Sequence, residues 1–465
     1  MKVKSIPSSW ISRDGLRLDC NPYMSGALEA KIRLDELPYP KDTLVSLCSN
    51  GIDGIYHAGR ESRSWVEDPD LGVSFLSSSS ILAADLSGLP LISKKQVKRN
   101  PKFLLKKGWT LITRSGTIGR MVYARPDMDG LACSEHVMRV VPDETKIPPG
   151  YLYAFLSSKF GVPLVTSGTY GSIIQSIEPE HIAGLPVPRL GKDVEGKAHH
   201  LMQEASSLRA DGALQIAKTV EKLATDLKLV INEEHSVTEF SICTVKSSNL
   251  NSRFDAPYHS LAAQWADKAV ADSPARTAKL ADVVKRYFKP PLFKRLWVDE
   301  LEYGRQFISG VDAYRYQAES VRYVSRKTPK FSEYILAEGM VIFQSAGQIY
   351  GLFGQPLFVS GWLSGLFAAD DLYRLEAHSV TDGGFLFAFL KTNVGQMLLK
   401  RQACGNSIPR LWDPQIRDIR LPWPEESLRM LIGSDIIDAH RKIELARVAE
   451  ANATALVEQA IQGTS

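Results

Sequence analysis

The chain has 465 residues, 44% apolar and 23% charged, with 25 prolines and 33 glycines. That length exceeds one compact core and fits two or three domains, and the composition excludes a disordered, collagen-like or disulfide-stapled chain. A net charge of +4 is too weak to indicate a nucleic-acid partner by itself, so the distribution of charge has to decide. Five scattered cysteines (Cys20, Cys48, Cys133, Cys243, Cys404) form no Cys-x-x-Cys pair and are expected to be reduced thiols. No window approaches the roughly 18 consecutive apolar residues of a membrane span, and the start lacks the apolar run of a signal peptide. A cytoplasmic protein with no membrane partner is expected.

Taken along the chain, the sequence repeats itself. Arg17-Leu-Asp19 with Pro22-Tyr23 returns as Arg253-Phe-Asp255 with Pro257-Tyr258. Gly108 to Ile118 returns as Gly339 to Ile349, each a glycine, an apolar β-type run and a glycine turn. Tyr151 to Leu156 returns as Phe385 to Leu390, Gly171-Ser-Ile-Ile174 falls on Gly405 to Ile408, and Ile182 to Pro188 falls on Ile416 to Pro422. An ordered series at near-constant spacing marks a duplication. Between the landmarks the halves diverge, most of all in 26–107 against 261–338, so one scaffold carries two different surfaces.

Within each copy the first part reads as mostly β with loops. Trp109–Thr113 and Met121–Ala124 predict a glycine-turned strand pair, and Tyr151–Phe160 predicts a short core helix. Leu185-Pro-Val-Pro188 and Leu421-Pro-Trp-Pro424 punctuate the exits, and a long helix follows each. In the first, Ala213, Ile216, Val220, Leu223, Leu227 and Val230 step by 3 and 4, with a register slip expected near Gly212. In the second, Ile432, Ile436, Ala439, Ile443 and Ala446 do the same, and Ala453, Val457 and Ala460 resume it. Ile216, Val220, Leu223, Leu227, Ile432, Ile436, Ile443 and Val457 are the expected coiled-coil seam. The expected architecture is α+β: two pseudo-repeated mixed α/β domains at 1–190 and 236–424, separated by an antiparallel coiled coil of two long helices at 191–235 and 425–465.

A catalytic reading finds little support. Phosphate-loop, dinucleotide, zinc-protease and nucleophile-elbow motifs are absent. A nuclease-like string of Asp19, Glu29 and Lys31 has suitable residue types but a loose pattern. Gly116-Thr-Ile-Gly119 with Arg114 and Arg120 has the spacing of a KH clamp, which would have to join helices rather than strands.

Basic clusters occur in both copies. Lys94, Lys95, Lys98, Arg99, Lys102, Lys106 and Lys107 precede the first glycine turn, and Lys285, Arg286, Lys289, Lys294, Arg295, Arg322, Arg326, Lys327 and Lys330 precede the second. They are candidates for tracking phosphates. Arg114, Ser115, Thr117, Gln344, Gln348, Arg401, Gln402 and Asn406 are polar residues suited to base edges, and Arg120 joins the candidate DNA-binding set.

These residues resemble a known family. Arg17-Leu-Asp19, Ile112-Thr-Arg-Ser-Gly-Thr-Ile-Gly119, Gly171-Ser-Ile-Ile174 and Leu185-Pro-Val-Pro188 before a long helix, given twice, are similar to the specificity subunits of type I restriction-modification systems. The resemblance covers essentially the whole chain and is weaker in the second copy, where Ser345 and Ala346 replace Arg114 and Ser115. It implies two target-recognition domains, each reading one half of a split sequence in double-stranded DNA, held apart by the coiled coil. It also implies a non-catalytic chain that binds no cofactor. Two methyltransferase subunits would dock on the helices and methylate adenine with S-adenosylmethionine, and a motor-nuclease subunit would join for cleavage. Two other readings are an adaptor of the same fold in another phage-defence methylase or nuclease assembly, and a stand-alone metal-dependent nuclease at Asp19, Glu29 and Lys31.

Overall fold

The computed structural model describes residues 3–13, 21–167, 176–230, 242–250, 253–316, 321–405, 407–411 and 413–463. The Arg17–Asp19 and Gly171–Ile174 landmarks and the candidate Asn406 lie outside the described residues. The chain forms two compact units, one of residues 1–210 with 445–465, the other of residues 211–444.

The first unit has ten strands among its described residues: β1 (Lys41–Thr43), β2 (Ile55–Tyr56), β3 (Trp65–Val66), β4 (Gly72–Leu76), β5 (Leu91–Ser93), β6 (Thr110–Thr113), β7 (Met121–Tyr123), β8 (Ala132–Cys133), β9 (Val137–Val140) and β10 (Pro186–Pro188). They build a four-stranded sheet of order β2-β9-β6-β7, a second four-stranded sheet of order β3-β5-β4-β8, and the pair β1-β10. The second unit has β11 (Arg276–Lys279), β12 (Val284–Phe288), β13 (Trp297–Val298), β14 (Gly304–Ile308), β15 (Tyr323–Ser325), β16 (Val341–Gln344), β17 (Pro356–Phe358), β18 (Phe367–Ala368), β19 (Leu372–Ala377) and β20 (Arg420–Trp423). Their sheets, β12-β19-β16-β17, β13-β15-β14-β18 and β11-β20, repeat the first set strand for strand. The parallel strand pairings correspond too, β4 with β8 and β14 with β18. The expected divergence of 26–107 from 261–338 is therefore one of side chains. The fold there is duplicated, because alternating half-buried strands tolerate exchange on their exposed face.

The glycine-turned strand pair is present in both units, β6 with β7 and β16 with β17, antiparallel. Every residue of β6 is buried, as a short run of β-branched and apolar residues between two neighbours in a covered sheet requires. The predicted core helices span Pro149–Leu156 and Val380–Lys391, and both lie in the core of their unit. The first part of each copy is more helical than expected, with Ala27–Asp35 and Leu261–Ala271 ahead of the sheets.

The long helices run Lys192–Asp226 and Glu426–Gln462. Each gives part of its length to both units, so the compact units differ from the four segments expected. In the second unit, Gln215 donates to the Asp435 carbonyl at 2.9 Å. There a Cβ added to Gly212 would meet the Ala439 carbonyl at 2.8 Å. The partner number falls as the central helix advances, so the two helices pair antiparallel. In the first unit, Arg209 bridges Glu450 at 2.8 Å. The helix is continuous through Gly212, where the register slip is expected, and there the partner backbone comes close.

The apolar stripes are buried as predicted, except at Val230, which lies beyond the end of the first helix and is exposed. Ile216, Leu223, Leu227, Ile432 and Ile436 belong to one core with Phe385, Phe387 and Leu421, with Val220 and Ile443 packed at its margin. Val457 lies in the other core with Ile112 and Val140. A helix face buried against a sheet and against another helix needs a wider stripe than a two-stranded seam, and Ala198, Met202 and Ile461 supply extra width.

Candidate nucleic-acid interface

In the first unit, β6 leaves its sheet at Thr113 and returns at Met121 through a turn in which Gly116 and Gly119 hold φ of 78° and 79°. Only glycine adopts that region freely. The turn is locked by Gly119 N donating to the Thr113 carbonyl and Arg120 N donating to the Thr113 hydroxyl, both at 2.9 Å.

Beneath this turn lies a polar network. Arg114 is only 5% exposed; it donates to the Ile177 carbonyl at 2.9 Å and is ion-paired with Glu178. The second oxygen of Glu178 stands 3.4 Å from His57 Nε2. Next to it, Ser115 Oγ lies 2.6 Å from His136 Nδ1, and Glu135 accepts two bonds from Arg63 at 2.9 and 3.1 Å. Burial, then the Arg114 charge, lowers the His57 pKa and favours its neutral form. Burial opposes ionisation of Glu135, but the bonds from Arg63 and from backbone outweigh it and hold its carboxyl below the usual range.

Ser115, His136 and Glu135 have the residue types of an acyl-transfer triad. Glu135 accepts its short bonds from Arg63 and stands 3.4 Å from His136 Nε2, so the ring lacks the close orienting carboxylate that such chemistry uses. What the network offers is a set of hydroxyl, imidazole, guanidinium and carboxylate groups, partly open at His136 and Ser115, able to donate to or accept from a base edge.

The second unit builds the same place from other residues. Asp370 and Asp371 stand where Glu135 and His136 do, and Ala346 takes the bridge position of Ser115, pairing with Arg410 as Ser115 pairs with Ser176. Ser345 is buried and donates to the Asp371 carbonyl at 2.7 Å. Gln344 N donates to the Tyr314 hydroxyl at 3.0 Å, and that hydroxyl donates to the Gln355 carbonyl at 2.6 Å. Burial and the adjacent Asp370 push the Asp371 carboxyl above its ordinary value. Gln344 Oε1 and Asp371 Oδ1 are shielded acceptors with no partner among the described residues. One unit thus presents Ser and His where the other presents Ala and Asp.

The basic segments flank these networks. β5 runs directly into the helix Lys94–Arg99, capped by the Ser93 hydroxyl, which accepts from Lys95 N. Gln96 and Val97 point inward, leaving Lys94, Lys95, Lys98 and Arg99 exposed. Arg99 is paired with Glu61 at 3.1 Å. Lys102 is also exposed and lies 5.8 Å from the Tyr56 ring. In the second unit Lys294, Arg295, Arg322, Arg326 and Lys327 are exposed and Lys289 is half-buried. Arg295 lies over Phe307 and Arg322 over Trp297, both at 5.3 Å.

Several expected base readers sit elsewhere. Arg114 is buried, spent on Glu178 and a carbonyl. Gln402 is buried and donates to the Leu398 carbonyl at 3.3 Å. Arg401 pairs with Asp267 at 2.6 Å and lies over Tyr258, which ties the helix Asn393–Lys400 to Leu261–Ala271. Thr117 and Gln348 remain exposed on their turns, with Arg120 half-buried beside the first. His57, Arg63, Glu135, His136, Tyr314 and Asp371 were not singled out from sequence. Glu135-His136 and Asp370-Asp371 immediately precede strands at the repeat offset, which is the signal that could have marked them.

Of the nuclease-like string, Asp19 lies outside the described residues and Glu29 is ion-paired with Lys4. No group of three or more His, Cys, Asp or Glu that could hold a metal occurs among the described residues, and no described helix is long and apolar enough to cross a membrane.

Solved structures resemble the chain along most of its length. The type I restriction-modification S subunit from M. genitalium is 12% identical over 92% of this chain and 96% of its own, with a TM-score of 0.38. The HsdS subunit from Thermoanaerobacter tengcongensis is 13% identical over 92% and 98%, with a TM-score of 0.28. A structure describing complex assembly and conformational transition of the type I R-M system is 12% identical over 92% and 99%, with a TM-score of 0.27. No family model matches the chain, and no curated protein matches it in sequence.

Proposed function

We propose that this chain is the DNA-specificity subunit of a type I restriction-modification assembly. Each unit reads one half of a bipartite target in double-stranded DNA, and the chain presents that target to methyltransferase subunits that methylate adenine with S-adenosylmethionine. The observation that carries the reading is a duplicated architecture with exchanged side chains at one place: Ser115 and His136 in one unit, Ala346 and Asp371 in the other, at the same strand ends. Two copies of one scaffold with different donors and acceptors suit a protein that reads two different half-sites. The exposed cations beside each network suit phosphate contacts that hold register without carrying sequence information. The partner supplies the methyl-transfer chemistry. This chain's own task is to bind and orient the duplex so that an adenine can leave the stack.

Selection from a pool of randomised duplexes by the purified chain with its methyltransferase tests this. Enrichment of two fixed short blocks around an unspecified spacer is expected. Enrichment of one uninterrupted block, or of none, would contradict it.

A further inference from the structure

The glycine turn is longer in one unit than in the other, and the extra residues carry a fully exposed ring. Gly119 N and Gly354 N donate to the carbonyls of Thr113 and Gln344, both at 2.9 Å, and both glycines hold positive φ, 79° and 67°. These bonds close equivalent turns. Five residues stand between Thr113 and Gly119, and nine between Gln344 and Gly354. The residue before each closing glycine has the same duty, since Ile118 packs on the first core and Phe353 is buried in the second. Thr117 and Gln348, both exposed, match at the other end. The four added residues are therefore Ile349, Tyr350, Gly351 and Leu352.

Gly351 N donates to the Gln348 carbonyl at 2.9 Å, which puts Ile349 and Tyr350 at the corner of a β-turn. There the Tyr350 side chain is fully exposed. The segment Ser407–Leu411 braces this finger. Gly347 N donates to the Pro409 carbonyl at 3.2 Å, Leu411 N to the Ser345 carbonyl at 2.9 Å, and Gln348 Nε2 to the Ser407 carbonyl at 3.2 Å. Ile408, between two of those carbonyls, is 56% exposed. Single apolar side chains on a surface are ordinary, but two on one braced, inserted turn mark a contact.

The finger springs from the second unit's candidate base readers. Ser345 N and Oγ both donate to the Asp371 carbonyl, and Gln344 and Asp371 carry the two unpartnered acceptors. A duplex read by those acceptors lies within reach of Tyr350, six residues further on. Charge on the finger agrees. Residues 344–356 and 407–411 contain Arg410 and no Asp or Glu; Arg410 is exposed, with no ion-pair partner among the described residues. Asp370 and Asp371 lie at its root. Side chains that enter a base step unstack it, and an aromatic ring replaces part of the stacking that is lost.

We propose that Tyr350 is a wedge: its ring enters the base stack of the half-site read by the second unit and lowers the cost of bringing an adenine out of the duplex there. The first unit, whose shorter turn folds Ile118 onto the core, opens its half-site without one. This rests on the specificity-subunit reading.

The test uses the full chain with its methyltransferase and the selected duplex, carrying 2-aminopurine at successive positions of both halves. Tyr350→Ala is expected to lower fluorescence at one or two neighbouring positions of one half-site and to slow methylation of that half about tenfold, leaving the other half unchanged. Tyr350→Phe should retain both signals. A mismatch at the affected step should bring the Tyr350→Ala rate to within about twofold of the parent's, because the stacking to be broken is already weak. Unchanged melting verifies folding at so exposed a position. Unchanged fluorescence and rate in Tyr350→Ala would overturn the wedge, as would equal loss at both halves or a defect that the mismatch leaves in place. Loss of bound methyltransferase, counted by native mass spectrometry without DNA, would overturn it in favour of a protein contact. A parent complex that selects no bipartite duplex would overturn the function proposed above and the wedge together, whereas selection of that duplex with an indifferent Tyr350 overturns the wedge alone.

Discussion

Arg139 and Arg374, 235 positions apart, occupy the same place in the two units and bond equivalent carbonyls, each leaving its Nε without a partner among the described residues. Both are fully buried, and neither has an ion-pair partner among the described residues. Arg139 donates to the carbonyls of Phe103, Cys133, Ser134 and Val137. Arg374 donates to those of Tyr334, Ala368, Ala369 and Leu372, the counterparts of the first four. Burial lowers the Arg374 pKa to about 10. A charge kept inside a fold costs free energy unless its donors are spent, and these tie the end of the larger sheet to the smaller one in each unit.

Replacing Arg374 by Met should leave four buried carbonyls without their donor. A destabilisation of about 3 kcal/mol is expected, read as faster amide exchange across β16 and β19. Exchange in β6 and β9, built around Arg139, should stay unchanged. Equal acceleration in both units would show that the arginine does not act locally.

Two glycines of the central helix should respond with opposite sign. Gly196 has open space where a Cβ would go, whereas at Gly212 that atom would meet the Ala439 carbonyl at 2.8 Å and Ile443 Cγ1 at the same distance. Gly196→Ala should stabilise by about 0.5–1 kcal/mol, the usual helix-interior gain. Gly212→Ala should destabilise despite the same gain. Chemical denaturation of both variants checks this, and stabilisation by both would contradict the close approach of the helices.

Stability should fall in mild acid. His440, against Phe358 and Phe387, has its pKa lowered to about 4, first by burial and then by Lys391. His57 and His199 are also lowered by burial, and His199 Nδ1 accepts from Gly150 N at 3.0 Å. A histidine whose folded pKa is depressed takes up protons on unfolding. Its contribution is therefore complete above the unfolded value near 6.5 and is lost as pH drops toward 4. His440→Phe should flatten this fall by on the order of 2 kcal/mol at pH 4. A melting profile as steep as the parent's would contradict it.

The two kinds of candidate DNA contact should separate by salt and sequence. Lys95→Ala with Lys98→Ala should weaken binding to all duplexes and lower the salt slope by about 2. His136→Ala should relax selection at one half-site by about 1–3 kcal/mol and leave the salt slope alone. Filter binding across a salt series checks both.

Much of the scaffold was legible in the sequence, since a duplication leaves landmarks at constant spacing. Gly108 and Gly339 mark equivalent sheet entries, and the proline exits mark the helix starts. The site was less legible. Arg114 read as a polar surface residue because nothing local shows that Glu178, 64 positions on, comes to meet it. The close approach at Gly212 was not legible because it is a property of two helices.

The central claim is that two units read two half-sites for one methyltransferase. Mapping methylated adenines across a host genome expressing this chain with its methyltransferase tests it most directly. The account predicts one split motif with two fixed halves, in which an exchange of residues 1–190 with those of a chain of different specificity rewrites one half and leaves the other untouched. Methylation at a continuous motif, or an exchange that rewrites both halves at once, would contradict it.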